Sequence, residues 1–181
     1  MSNPQSWGEP AILIASPKCV GLHSVAAYPE LSLAFSSFRV DLPAGDGPLV
    51  QSQAFVTHIP FAAKPDFPII GFVLDLDLAG ERTGATRAGV IIESMGTSKL
   101  LEFSRRDAAE VISESHRIFI APGLAQAGGG IMGAHGQNYP DIVITVLVTA
   151  QRETVDDHIF VDIDEVRIMA IVATGIARED D

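Results

Sequence analysis

Two short runs of the chain place aspartates two positions apart: Asp75 and Asp77 in "FVLDLDLAG", and Asp162 and Asp164 in "FVDIDEVR". On an extended strand, residues i and i+2 share a face. Each pair therefore presents two carboxylates about 6–7 Å apart along the strand. Two such pairs on neighbouring strands would form a cluster of hard oxygen ligands suited to Ca²⁺. The same spacing also describes the solvent faces of two half-buried strands, with Leu74, Leu76 and Leu78 turned inward. Both readings stand at the level of sequence.

A second candidate is the glycine-rich stretch "AQAGGGIMGAHGQNYPD", residues 125 to 141. A long connection without regular structure is uncommon inside a compact domain unless it is functional or disordered. Ile131, Met132 and Tyr139 are apolar anchors that a plain spacer does not need. His135, Gln137 and Asn138 donate and accept hydrogen bonds, and Tyr139 offers a stacking face. That set suits sugar hydroxyls. A loop serving only subunit contact would carry the same residues.

Other chemistries find little support. The five histidines, His23, His58, His116, His135 and His158, show no metal-ligand spacing,. No G-x-S-x-G elbow is present. "AGGGIMG" lacks the G-K-[ST] ending of a phosphate loop. Cys19 is the only cysteine, which excludes an intrachain disulfide framework and a cysteine-rich zinc site,.

The net charge of −11, from 12 basic against 23 acidic residues, opposes nucleic acid and anionic membrane surfaces,. A cation or a neutral polar ligand fits this field better. Charged residues make up 19% of the chain, below the roughly 25% of average soluble proteins. Either a large core or a homo-oligomer with covered surface would account for that. The opening "MSNPQSWGEP" has no basic start followed by an apolar segment,. The longest apolar runs stop well short of the roughly 20 residues that a membrane helix needs. These features predict a cytoplasmic product, leaving open export without a cleaved signal.

The elements that must position these residues read almost entirely as strands. "EPAILIASP", "LVQSQAFVTHIPF", "PIIGFVLDLDL", "GATRAGVIIES", "SKLLEFS", "HRIFIAP", "DIVITVLVTAQ" and "HIFVDIDEVRIMAIVAT" are short apolar or alternating runs separated by Gly/Pro turns,. In "LSLAFSSFRVDL" the apolar parity shifts at the serine pair, where a bulge would restore the inward face,. Helical periodicity is confined to "SRRDAAEVISES", 104 to 115, with Ser104 as N-cap and Ala108, Val111 and Ile112 as one stripe,. The crossover helices of a parallel sheet are missing. We therefore expect an all-β fold: a single antiparallel, jelly-roll-like β-sandwich domain over 1–181 with one short helix.

The run "VTHIPFAAKPDFPIIGFVLDLD" resembles H-type lectin domains, and "VRIMAIVATG" loosely resembles their closing strand. The last strand lacks that family's aromatic, so no sugar contact is carried over. "FVDIDEVRI" is similar to the closing strand of jelly-roll carbohydrate-binding modules, which implies a structural Ca²⁺. The expected function is a non-enzymatic, glycan-directed binding module in a homo-oligomer. Two other classes stay open: a structural subunit of a particle or tail assembly, and a small β-fold enzyme with its site at the sandwich mouth.

Overall fold

Alternation along the strands builds the architecture. The computed structural model describes residues 6–17, 19–27, 29–62, 69–105, 110–120 and 142–172. In chain order they form β1 (Ser6–Trp7), β2 (Ala11–Ala15), β3 (Cys19–Val20), β4 (His23–Ala27), β5 (Glu30–Ala34), β6 (Ser37–Leu42) and β7 (Val50–Ile59). There follow β8 (Phe61–Ala62), β9 (Ile69–Thr83), β10 (Thr86–Ser94), β11 (Thr97–Arg105), β12 (Glu110–Ile120), β13 (Ile142–Arg152) and β14 (His158–Val172). Every ladder among them is antiparallel.

Two sheets face one another. The first has the order β11-β10-β13-β7-β2, the second β12-β9-β14-β5-β4, with β6 also on β14 and β3 on β6. The expectation of an antiparallel all-β sandwich holds. β13 shows why: Ile142, Ile144, Val146, Val148 and Ala150 are buried, and the residues between them are not. Burying one such side chain contributes roughly 1.5–3 kcal/mol.

The parity shift at the serines is real. Leu31 and Leu33 of β5 are buried, as are Phe38, Val40 and Leu42 of β6, and the strand breaks between them at Phe35 and Ser36. The partner strand adjusts at the same place. β14 changes register against β9 between Ile163 and Glu165, leaving Asp164 as the extra residue. The Asp164 carbonyl accepts a hydrogen bond from the Phe35 N–H (3.0 Å). Both strands thereby keep an apolar face inward on each side of the irregularity.

The expected helix over 104–115 is corrected. Ser104 and Arg105 end β11, and Glu110 to Ser115 open β12; residues 106–109 lie outside the described residues. Val111 is exposed while Ile112 is buried against Gly80, so the two do not share the apolar stripe expected of them. Eleven consecutive pairings between β12 and β9 outweigh a local propensity, which is a weak prior.

The two ends of the sandwich differ. At one end Trp7, Phe61 and Phe72 pack ring against ring, with centroids 4.5–5.9 Å apart. At the other end the first sheet turns a guanidinium inward. Arg152 is only 1% exposed. It donates to the backbone carbonyls of Pro48 (3.2 Å), Gly45 (2.8 Å), Val155 (3.0 Å), Asp157 (3.3 Å) and Pro43. One side chain thus fixes residues 43–48 and the turn at 153–157.

Candidate functional site: the outer face of the second sheet

The register of the second sheet sets up the site. Arg167 of β14, Asp75 of β9 and Arg117 of β12 lie side by side in one cross-strand row. The next row brings together Glu165, Asp77 and Ser115, and the row on the other side Met169, Val73 and Phe119. These positions alternate with buried Leu74, Leu76, Ile118, Val166 and Ile168, so their side chains project from the outer face.

The polar rows form a hydrogen-bonded mesh. Arg117 makes a bidentate pair with Asp75, Nε to Oδ1 and Nη2 to Oδ2, each at 2.7 Å. Asp77 accepts from Ser115 Oγ at 2.6 Å and from Arg167 Nη2 at 3.0 Å. Arg167 Nε lies 3.6 Å from Glu165 Oε2, and Ser32 Oγ donates to Glu165 Oε1. The Arg117 hydrogen bonds hold the Asp75 carboxyl below the usual aspartate range, against the opposing pull of desolvation. Asp75 correspondingly raises Arg117 above the usual arginine value. Asp75, Ser115, His116, Arg117 and Arg167 line a shallow cleft of about 280 Å³.

Beside this cleft stands an aromatic ring. Phe119 is 52% exposed, two residues along β12 from Arg117 and on the same face. A Cβ built on Gly71 would meet two Phe119 ring carbons at 2.7 Å. Glycine at 71 therefore lets the ring lie down against the sheet. With Val73 and Met169 half-buried next to it, the ring forms an apolar step bordering a carboxylate–guanidinium row.

The aspartates found by spacing are thus placed as follows. Asp75 and Asp77 share the outer face and both face arginines. Asp162 lies on the same face of β14, opposite Arg39 and Ala79, and Asp164 is the exposed residue at the register change. Desolvation raises the Asp162 carboxyl above the usual range, with the charge of Asp164 adding to the effect. Among the described residues, no three His, Cys, Asp or Glu side chains are grouped to hold a metal ion. His135, Gln137, Asn138 and Tyr139 lie outside the described residues. The described residues that flank them in the chain, Ile120 and Ile142, lie at the Trp7–Phe61–Phe72 end of the sandwich.

Arg117, Arg167, Ser115, Phe119 and Gly71 were not singled out by sequence reasoning. The available signal was the alternation of "SESHRIFI", which puts Ser113, Ser115, Arg117 and Phe119 on one side. What no single strand reveals is that this side meets Asp75 and Asp77.

The molecule is thus an all-β sandwich with a polar, aromatic-edged face. No family model and no curated protein sequence matches the chain. Among solved structures it is similar to TmCBM61 in complex with beta-1,4-galactotriose, at 12% identity and a TM-score of 0.39. That similarity covers 91% of this chain and 88% of the other, and it supplies no site residue here.

Proposed function

We propose that the chain is a non-catalytic binding module that takes a neutral glycan on the outer face of its second sheet. The observation that carries this reading is Phe119, laid on Gly71 beside the Asp75–Arg117 pair. A pyranose has one apolar C–H face and a rim of hydroxyls. The ring and Val73 would accept the face, and the carboxylate and guanidinium would accept from and donate to adjacent hydroxyls. Only two of the five guanidinium N–H donors are used on Asp75, so three remain for a ligand. The net charge of −11 favours neutral sugars over uronates or sulfated chains. The cleft is open, which suits binding of part of a chain and does not enclose a reacting bond away from water.

The test is retention on a panel of neutral and anionic oligosaccharides by the unmodified protein and by Phe119→Ala and Asp75→Ala. The proposal expects at least one neutral glycan to be retained by the unmodified protein and retained more weakly by both variants, Asp75→Ala the weaker of the two. No retention of any neutral glycan, or retention indifferent to both substitutions, would refute it.

A further inference from the structure

On one side of the sandwich the strands β2 and β4 carry no charged residue, in a molecule whose net charge is −11. Among the described residues, β2 is the edge strand of the first sheet, and β4 is the edge strand of the second. Both open on the same side, because β6, which shares the β14 edge with β5, packs against β7. All ten residues, Ala11–Ala15 and His23–Ala27, are exposed. Ile12, Leu13, Ile14 and Val25 are each more than half exposed. Not one of the ten is an Asp, Glu, Lys or Arg.

An apolar edge strand invites pairing, and proteins commonly guard such strands with lysines or inward charges. β2 has neither within its length. Its guards are Pro10 and Pro17 at its flanks and a register shift against β7 between Ile12 and Ile14, which leaves Leu13 as the extra residue. Neither covers the three exposed apolar side chains. Each copy carries a net charge of −11, and neither of these two strands adds a charge that would repel a second copy.

The sequence of β2 also says which partner fits. Ala-Ile-Leu-Ile-Ala reads the same in both directions. Laid antiparallel on its own copy about a two-fold axis at Leu13, it places Leu13 on Leu13, Ile12 on Ile14 and Ala11 on Ala15. Any strand can meet its own copy about a two-fold axis; the palindrome makes every such meeting here one between like apolar residues. We infer that the chain self-associates side by side through β2, with Leu13 at the two-fold axis and the β4 edges of the two copies brought to the same side. This surface is separate from the Asp75–Arg117–Phe119 face, so the inference does not depend on glycan binding. Ten residues are fewer than the 20–30 per partner of a standard interface, so the dimer should be reversible and concentration-dependent.

The experiment is cysteine cross-linking combined with sedimentation. In a Cys19→Ser background, Leu13→Cys should give a disulfide-linked dimer on oxidation, because only a residue on the axis meets its own copy within the roughly 4.4–6.8 Å Cα separation that a disulfide spans. Val111→Cys in the same background, on the far edge of the second sheet, should not cross-link. Unmodified protein should shift from 19.2 kDa monomer toward dimer across the micromolar to millimolar range. Leu13→Lys, with an unchanged far-UV spectrum, should stay monomeric. An unmodified chain that is monomeric throughout that range would overturn the inference. So would a dimer that survives Leu13→Lys, or cross-linking through Val111→Cys as efficient as through Leu13→Cys.

Discussion

Two arginines of this sandwich do opposite work. Arg152 is buried, faces inward and is held by carbonyl oxygens of five residues. Arg117 is exposed, with 70% of its side chain in solvent, and is held by one carboxylate. A buried donor whose acceptors are backbone groups is a structural clamp: remove it and several carbonyls lose their partner together. An exposed bidentate pair contributes little to stability, since water and salt screen it. What it does provide is a fixed, partly unused set of donors and acceptors beside an aromatic ring. The contrast separates residues that hold the fold from residues available to a ligand.

The largest expected effect breaks the clamp. Arg152→Ala should lower the unfolding free energy by roughly 3 kcal/mol or more, because several hydrogen bonds from a charged donor, each contributing about 1.5–3 kcal/mol, are lost together. Urea denaturation measures it. Glycan affinity of the fraction still folded should be unchanged. If the variant kept full stability, the carbonyl cage would have no structural role.

Asp75→Ala should show the reverse pattern. Losing hydrogen bonds to a charged group costs about 1.5–3 kcal/mol of binding, or roughly tenfold to over a hundredfold in Kd, with little change in melting temperature. Calorimetric titration of a retained glycan, alongside thermal melts, checks both halves. The pH dependence follows from the same pair. Asp75 has its folded-state pKa below the ordinary value of 3.8, so its contribution is complete above that value and fades as pH falls through the lowered one. Binding should therefore be level from neutral pH down through about pH 5 and fall only in stronger acid.

Phe119→Ala should weaken the same glycan less, by about 0.5–1.5 kcal/mol for the lost ring, again without destabilising the fold. Gly71→Ala sharpens this. The new methyl would meet the ring carbons at 2.7 Å and the Ile120 carbonyl oxygen at 2.9 Å, so Phe119 must lift, β9 and β12 must shift locally, and affinity should fall although the ring is still present. Unchanged affinity in Gly71→Ala would separate the ring's position from its function.

Much of the fold was legible in the sequence, and the particular residues show why. Ile142 to Arg152 and Ile69 to Thr83 alternate so regularly that strand and inward face follow at once, and the serine pair at 36–37 marked its own irregularity. Residues 104–115 were misread because a short amphipathic pattern is ambiguous, and the deciding contacts with β9 are long-range. The candidate site was half legible. Asp75 and Asp77 were found by spacing, as either a metal pair or a solvent face, and nothing local says that Arg117 and Arg167, 42 and 90 residues away, are their neighbours. Cross-strand register supplies that information, and register is a property of the folded sheet.

The smallest expected effect concerns the second aspartate pair. Desolvation raises the Asp162 carboxyl, so its ionised form opposes folding at neutral pH and the penalty disappears as the group is protonated. Asp162→Asn should stabilise by about 0.5 kcal/mol or less at neutral pH, with the gain vanishing in acid; melts at two pH values decide it.

The central claim is that the outer face of the second sheet binds neutral sugar through the Phe119 step and the Asp75–Arg117 row. Amide chemical-shift mapping during titration with a retained neutral oligosaccharide tests it most directly. The account predicts saturable shifts confined to the rows around Val73, Asp75, Asp77, Ser115, Arg117, Phe119 and Arg167, with Arg152 and the 43–48 segment unmoved. Shifts centred on the first sheet or on the Arg152 end, or no saturable shift, would contradict it.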